Sequence, residues 1–260
     1  MGRMDGKAVI ITGAGTGVGR AAMQLFSTEG ARVFGVSRTQ ANLDQTLALV
    51  REGGGEGAVF AADLSEDAAC EGVVKAALAK YGRIDSLVHA AGIGYNWAKT
   101  SPGTMADVAG TTPQAWREVM AIDLDAYFYM CRHVLPLFVA QGKGTIVSVS
   151  SIGGYMGMPD AHTYTAAKAG MINLTRSMCV TYASKGIRAN CITPGFIDTP
   201  MTADYMDLFK DPAVGDSITP MRRAGTPMEM AYGCLYFACD ESGYCNGAVL
   251  TIDGGTTARM

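Results

Sequence analysis

The chain has 260 residues, 48% hydrophobic and 17% charged, with a formal net charge of −3. That length supports one large core and excludes a small stapled scaffold, while the charge provides no basic field for phosphate backbones, so no nucleic-acid partner is expected. No apolar run nears the roughly 18 residues that cross a bilayer and the first residues lack a signal-peptide core, so no membrane association and a cytoplasmic location are expected.

In chain order, short β-branched runs alternate with longer segments of helical period. Ala8 to Ile11 is an apolar strand, Val18 to Glu29 a helix closed by Gly30, and Arg32 to Val36 a second strand. Next come a strand at Ala58 to Ala61, a helix from about Ser65 to Tyr81, and a strand from Ile84 to Ala90. A long helix from about Pro113 to Ala140 and the strand Thr145 to Val149 follow. The last elements are a helix from about Tyr164 to Ser184, a strand at Ile187 to Ile192, a helix near Pro227 to Cys239 and a strand at Ala248 to Ile252. Several strands are apolar on both faces, which predicts an α/β, Rossmann-type doubly wound parallel sheet of about seven strands with helices on both sides. With no linker or repeat, residues 1–260 read as a single dinucleotide-binding and catalytic domain.

The seven cysteines lack C-x-x-C spacing and the three histidines are scattered, so buried thiols are expected and no metal site. The first chemistry lies after the first strand, in Thr12-Gly13-Ala14-Gly15-Thr16-Gly17-Val18-Gly19. A strand that passes through glycines into a helix lets backbone approach a pyrophosphate and aims helix amides at the anion. The spacing is T-G-x-x-x-G-x-G, not G-x-G-x-x-G, because residue 18 is valine.

With three further marks, this spacing resembles the short-chain dehydrogenase/reductase family from Lys7 to Gly255. Ser151, Tyr164 and Lys168 match its Ser and Tyr-x-x-x-Lys set; Pro194-Gly195-Phe196-Ile197-Asp198-Thr199 matches its nicotinamide-side segment; Ile252-Asp253-Gly254-Gly255 matches its last strand and turn. Tyr95 and Lys99 also fit Tyr-x-x-x-Lys, but they follow glycines, read as a loop, and have Gly82 where the serine should stand.

The trio suits carbonyl chemistry. Hydride arriving at carbon leaves negative charge on oxygen, which calls for a proton and a hydrogen-bond donor. A free tyrosine has a pKa of about 10, and a neighbouring ammonium favours the phenolate. Lys168, one helical turn from Tyr164, is expected to lower its pKa toward the operating pH, making Tyr164 general acid in reduction and general base in oxidation. Ser151 reads as a donor to the substrate oxygen or as a turn cap, and Ser150 is adjacent. The resemblance implies that Lys168 also holds the nicotinamide ribose.

Cofactor choice is read at Ser37-Arg38, after the second strand. An acid there would bond a ribose 2′-hydroxyl; serine followed by a planar guanidinium suits a 2′-phosphate, so NADP(H) is favoured over NAD(H). Asp63-Leu64 resembles the family's adenine-side contact, although Asp63 or Ser65 also reads as a helix cap. The expected cofactor-binding set is Gly13, Thr16, Gly17, Val18, Gly19, Ser37, Arg38, Asp63, Leu64, His89, Ala90, Gly92, Tyr164, Lys168, Pro194, Gly195, Ile197 and Thr199.

Two positions depart from the family pattern. Its N-x-A-G is His89-Ala90-Ala91-Gly92 here, and the asparagine usual in the central helix, which holds a relay water, is Asp123. Asp123 is placed in the catalytic set as a support for Lys168 or as an impairment of the relay. His89 reads as a sheet residue near the cofactor. An apolar lid is expected after Thr199, with Met201, Tyr205, Met206, Leu208 and Phe209. Tyr95, Trp97, Tyr155, Met156 and Met158 are further candidates for the pocket wall, and the stretch from Gly92 to Trp116 looks longer than in relatives. The expected activity is hydride transfer between NADP(H) and a hydrophobic or mixed small ketone or secondary alcohol. The alternatives are an NAD-dependent alcohol dehydrogenase of this fold and a nucleotide-binding regulatory protein with little turnover. Val180 and Thr181 stand where relatives acting on acyl-carrier thioesters tend to carry arginine. The family implies a homo-oligomer, tetramer or dimer.

Overall fold

The computed structural model describes residues 2–259. Its strands are β1 (Ala8–Thr12), β2 (Arg32–Ser37), β3 (Glu56–Ala61), β4 (Ser86–His89), β5 (Gly144–Val149), β6 (Ile187–Pro194) and β7 (Val249–Ile252). They form one parallel sheet in the order β3-β2-β1-β4-β5-β6-β7. β1 is buried along its whole length because it is central and covered on both faces.

Alternation of side chains along each strand divides the core in two. Val9, Ile11 and Val33 pack with Phe26, Leu43 and Leu235, so α1 (Gly17–Thr28), α2 (Gln40–Glu52) and α8 (Pro227–Ala238) cover one face. Ile10, Phe34 and Leu87 pack with Val73, Tyr127 and Met171 on the other face. This second face is covered by α3 (Asp67–Tyr81), by α5 (Ala126–Gln141), which continues from α4 (Pro113–Met120), and by α6 (His162–Tyr182). Fully buried side chains such as Phe26, Phe138 and Tyr127 each contribute about 2 kcal/mol by leaving water. A capping box fixes the start of α8: Glu229 N–H donates to Thr226 Oγ1 at 3.3 Å and Thr226 N–H to Glu229 Oε2 at 2.7 Å.

The strand order reverses where β1 lies between β2 and β4, so the loops after β1 and β4 diverge and leave a crevice at the carboxyl ends. Several elements differ from the sequence expectation. α2 was not anticipated, because only Leu43, Thr46 and Val50 of its thirteen residues are buried. The helix expected near Ser65 begins at Asp67, since Asp63 Oδ1 instead accepts from Ser65 N–H and Oγ–H in a tight turn. The expected long helix is interrupted by a π-helical turn at Ala121–Asp125. Downstream of Thr199 the chain forms a 3₁₀ turn, Ala203–Lys210, and α7 (Pro212–Ile218).

Candidate active site

The crevice is a cleft of about 420 Å³. Its walls include Gly13, Thr16, Gly17, Val18 and Gly19 from the first turn, Ser37 and Arg38 at the end of β2, and Asp63 and Leu64 after β3. Ala90 and Gly92 follow β4; Ser151, Tyr164 and Lys168 come from β5 and α6; Pro194, Gly195, Ile197 and Thr199 close the β6 side. Two expected members are missing: His89 and Asp123 lie behind the wall, and both are 0% exposed.

The first turn is built for close approach. A Cβ on Gly19 would stand 2.3 Å from the Gly13 carbonyl oxygen, so only glycine lets α1 start so near the end of β1. Arg20 was not anticipated in the turn's architecture: its Nη2 donates to the Gly15 carbonyl at 2.5 Å and its Nε to Thr46 Oγ1 at 3.0 Å. Thr46 Oγ1 donates to the Ala14 carbonyl at 2.9 Å. Two side chains from different helices thus fix the turn that lines the cleft.

On the other side, Ser150 Oγ donates to the Lys168 carbonyl at 2.8 Å. That makes Ser150 structural and leaves Ser151 at the cleft wall, where its hydroxyl accepts from Gly153 N–H at 3.1 Å. Ser151 therefore caps a turn and faces the site at once. Tyr164 and Lys168 share one face of α6, with the ammonium 5.5 Å from the centre of the phenol ring. Lys168 is buried; its Nζ lies 3.9 Å from Asp123 Oδ1 and 3.7 Å from Met171 Sδ. Asp123 Oδ1 accepts from Ile93 N–H at 2.7 Å, while Oδ2 is buried without a partner. The π-turn brings that carboxylate inward, an irregularity frequent at functional sites.

The Tyr164 phenol does not follow the sequence expectation of a lowered pKa. Burial pushes it above its ordinary value and the Asp123 charge adds to the rise, which outweighs the opposing effects of Lys168 and Ser151. The ammonium acts in the anticipated direction, but removal from water is the larger effect. Asp123 is itself raised, again chiefly by burial, with Lys168 and the Ile93 amide opposing. His89 is pushed down to about 3 by burial and by Lys168, so it is neutral at physiological pH. Its Nδ1 shares a 3.1 Å hydrogen bond with Thr12 Oγ1, which also accepts from Ala91 N–H at 3.1 Å. His89 thus supports the sheet end below the cleft.

Lys99, the cation of the rejected second pair, bonds Asp204 outside the cleft, and Tyr95 lies in a 3₁₀ turn, its hydroxyl 3.5 Å from Met158 Sδ. Of the expected lid residues, Met201 lines the cleft, whereas Tyr205 and Phe209 pack on Phe196. Tyr155 turns away to Thr251, with the two hydroxyls 2.7 Å apart. The Arg38 guanidinium lies over the Trp97 ring, a contact spacing could not show. Among the described residues, no helix is long and apolar enough to span a membrane and no group of three or more acidic, histidine or cysteine side chains could hold a metal.

The residues fit a nicotinamide dinucleotide: a glycine turn that runs into a helix at the cleft wall, a guanidinium at the end of β2, and an ammonium beside a phenol. Comparison with known proteins agrees. Residues 13–257 match the family described as Enoyl-(Acyl carrier protein) reductase. The chain is 37% identical to the 3-oxoacyl-[acyl-carrier-protein] reductase FabG of Thermotoga maritima, covering 97% of this chain and 98% of that one. It is 33% identical to a cyclopentanol dehydrogenase of Comamonas sp., covering 100% of both, and 35% identical to a cis-4-hydroxycyclohexanecarboxylate dehydrogenase of Sinomonas cyclohexanicum, covering 97% of each. The crystal structure of levodione reductase superposes with a TM-score of 0.90 at 32% identity, over 99% of this chain and 100% of that one. By fold, motif and similarity, the chain belongs to the short-chain dehydrogenase/reductase family and is an oxidoreductase of the alcohol/ketone type.

Proposed function

We propose that this protein moves hydride between NADP(H) and a small cyclic or otherwise hydrophobic ketone/secondary-alcohol pair, residues 1–260 acting as one domain. The observation that carries the reading is the convergence of Ser151, Tyr164 and Lys168 on the cleft that the glycine turn opens into. Bound there, the nicotinamide supplies or accepts the hydride.

The chain's own residues do the rest. The Tyr164 hydroxyl donates its proton to the substrate oxygen in reduction and takes it back in oxidation. Its raised pKa keeps it protonated, the form reduction needs. Ser151 donates a hydrogen bond to the same oxygen, and Lys168 stabilises the phenolate left behind. The Lys168 ammonium would also hold the nicotinamide ribose. Asp123 touches neither substrate nor cleft; it positions Lys168. Gly13, Thr16, Gly17, Val18 and Gly19 would cradle the pyrophosphate, Ser37 and Arg38 would receive the 2′-phosphate, and Asp63 and Leu64 would border the adenine. Ala90, Gly92, Pro194, Gly195, Ile197 and Thr199 shape the nicotinamide side.

Four facts support substrate and assembly. Relatives named for cyclopentanol and a hydroxycyclohexane acid and the apolar contribution of Met158, Met201 and Ile218 to the cleft favour a ring ketone. Val180, exposed near the end of α6, offers no cation to an acyl-carrier chain. Exposed Phe128 on α5, and Tyr232, Tyr236 and Leu250 on α8 and β7, suit a homo-oligomer, a tetramer or dimer.

The test is consumption of NADPH and NADH against a panel of cyclic and acyclic ketones. The reading requires turnover of at least one ketone with NADPH preferred. Tight NADPH binding without oxidation across the panel points instead to a regulatory nucleotide-binding role.

A further inference from the structure

The 95–99 turn touches both Arg38 and the segment that follows Thr199. On one side, the Trp97 ring lies against the guanidinium of Arg38, with the central carbon 4.7 Å from the ring centre. The indole is fixed from behind, because its Nε1–H donates to Glu118 Oε1 at 2.6 Å. On the other side, the same turn is fastened to the segment that follows Thr199. Asn96 Nδ2 donates to the Pro200 carbonyl at 3.3 Å, Lys99 pairs with Asp204, and the Tyr95 and Tyr205 rings meet edge-on with centres 6.1 Å apart.

Guanidinium geometry gives this contact a consequence. All five N–H donors lie in the plane of the group, so a face stacked on an aromatic ring leaves the donors at its edges free. Arg38 is exposed, has no ion-pair or hydrogen-bond partner among the described residues, and sits at the end of β2. An unstacked arginine there would lose most of its rotamer freedom on gripping a phosphate; the indole removes part of that cost beforehand.

We propose that Trp97 sets cofactor specificity by holding Arg38 edge-on to a ribose 2′-phosphate, and that through its turn this grip is coupled to closure of the 200–210 segment over the substrate. This rests on the NADP(H) reading of the site. A cofactor without the 2′-phosphate gains nothing from Trp97.

The test measures kcat/KM for NADPH and NADH in Trp97→Ala, Trp97→Phe and Arg38→Ala. Trp97→Ala is expected to lower the NADPH/NADH ratio about three- to fivefold, the size of a cation–π contact at an exposed site. NADH values should stay within about twofold, and Trp97→Phe should recover most of the ratio. In an Arg38→Ala background, Trp97→Ala should change the ratio no further. If Arg38→Ala itself leaves the ratio unchanged, the NADP(H) reading fails and takes this inference with it. If Arg38→Ala collapses the ratio and Trp97→Ala does not, only the inference is overturned.

A second readout needs no turnover. The chain has two tryptophans, so Trp116→Phe leaves Trp97 as the only indole. Adding 2′,5′-ADP should shift its emission and slow tryptic cleavage after Lys210, whereas AMP should do neither. Equal responses to the two nucleotides contradict the specificity role. An emission shift without protection at Lys210 contradicts the coupling.

Discussion

Lys168 Nζ and Asp123 Oδ1 stand 3.9 Å apart, both side chains buried, at a position where the family pattern has a neutral amide. The pair puts a negative charge within reach of the Tyr164 phenol, and that charge adds to the rise in the phenol's pKa. A buried carboxylate is tolerated there because the Ile93 amide and the ammonium both face Oδ1.

Asp123→Asn should therefore keep or raise turnover. The amide oxygen can still accept from Ile93 N–H, and loss of the negative charge lowers the phenol's pKa. The measurement is kcat against pH for alcohol oxidation: its rising limb should move to lower pH. A loss of a hundredfold or more would show that the carboxylate is specifically required.

The pH dependence of the wild-type protein follows from the same shift. Oxidation needs the phenolate, and a raised pKa means this form is scarce at neutrality and grows with pH. The rate of oxidation should climb about tenfold per pH unit on the alkaline side, while ketone reduction, which uses the protonated phenol, falls only above that pKa. Parallel kcat/KM profiles in the two directions check this; a flat oxidation profile contradicts it.

Lys168→Met removes the cation and strands the Asp123 carboxylate. Activity should fall about 10²- to 10³-fold, and stability by about 3 kcal/mol, as when one partner of a buried pair is deleted. The double variant Lys168→Met/Asp123→Asn should recover most of the stability and none of the activity. Thermal melting alongside turnover separates the two effects.

Gly92→Ala tests the packing of the pair. A Cβ there would stand 2.8 Å from Asp123 Oδ1 and 2.9 Å from Lys168 Nζ. The ammonium ends a flexible chain and can move, so the expected stability cost is about 1 kcal/mol. Moving it weakens its hold on the phenol, and kcat should drop about tenfold or more. Unchanged kcat would mean that the position of Lys168 is not critical.

The sheet was legible in the sequence because parallel strands covered on both faces read as continuous apolar runs, as in Ala-Val-Ile-Ile-Thr of β1. The motif residues around the cleft were legible because their spacing reports backbone geometry: glycines at the turn, and three residues between Tyr164 and Lys168. What spacing could not show was everything carried by contacts between distant segments. α2 was missed because its surface is largely polar and only three of its residues are buried. The π-turn leaves no mark in the sequence, because Ala121–Asp125 carries no glycine or proline to signal a break. The raised phenol pKa was missed because pair spacing reveals the ammonium but not the depth of burial, and burial has the larger effect. The stack of Trp97 on Arg38, 59 positions apart in sequence, needed the fold.

Tyr164→Phe is the sharpest test of the Tyr164 hydroxyl as proton donor and acceptor of this cleft. With NADPH and the best ketone from the panel, kcat should fall at least about a hundredfold, while NADPH affinity measured by cofactor fluorescence stays within about twofold. Turnover within tenfold of wild type, with the cofactor still bound, would contradict the account.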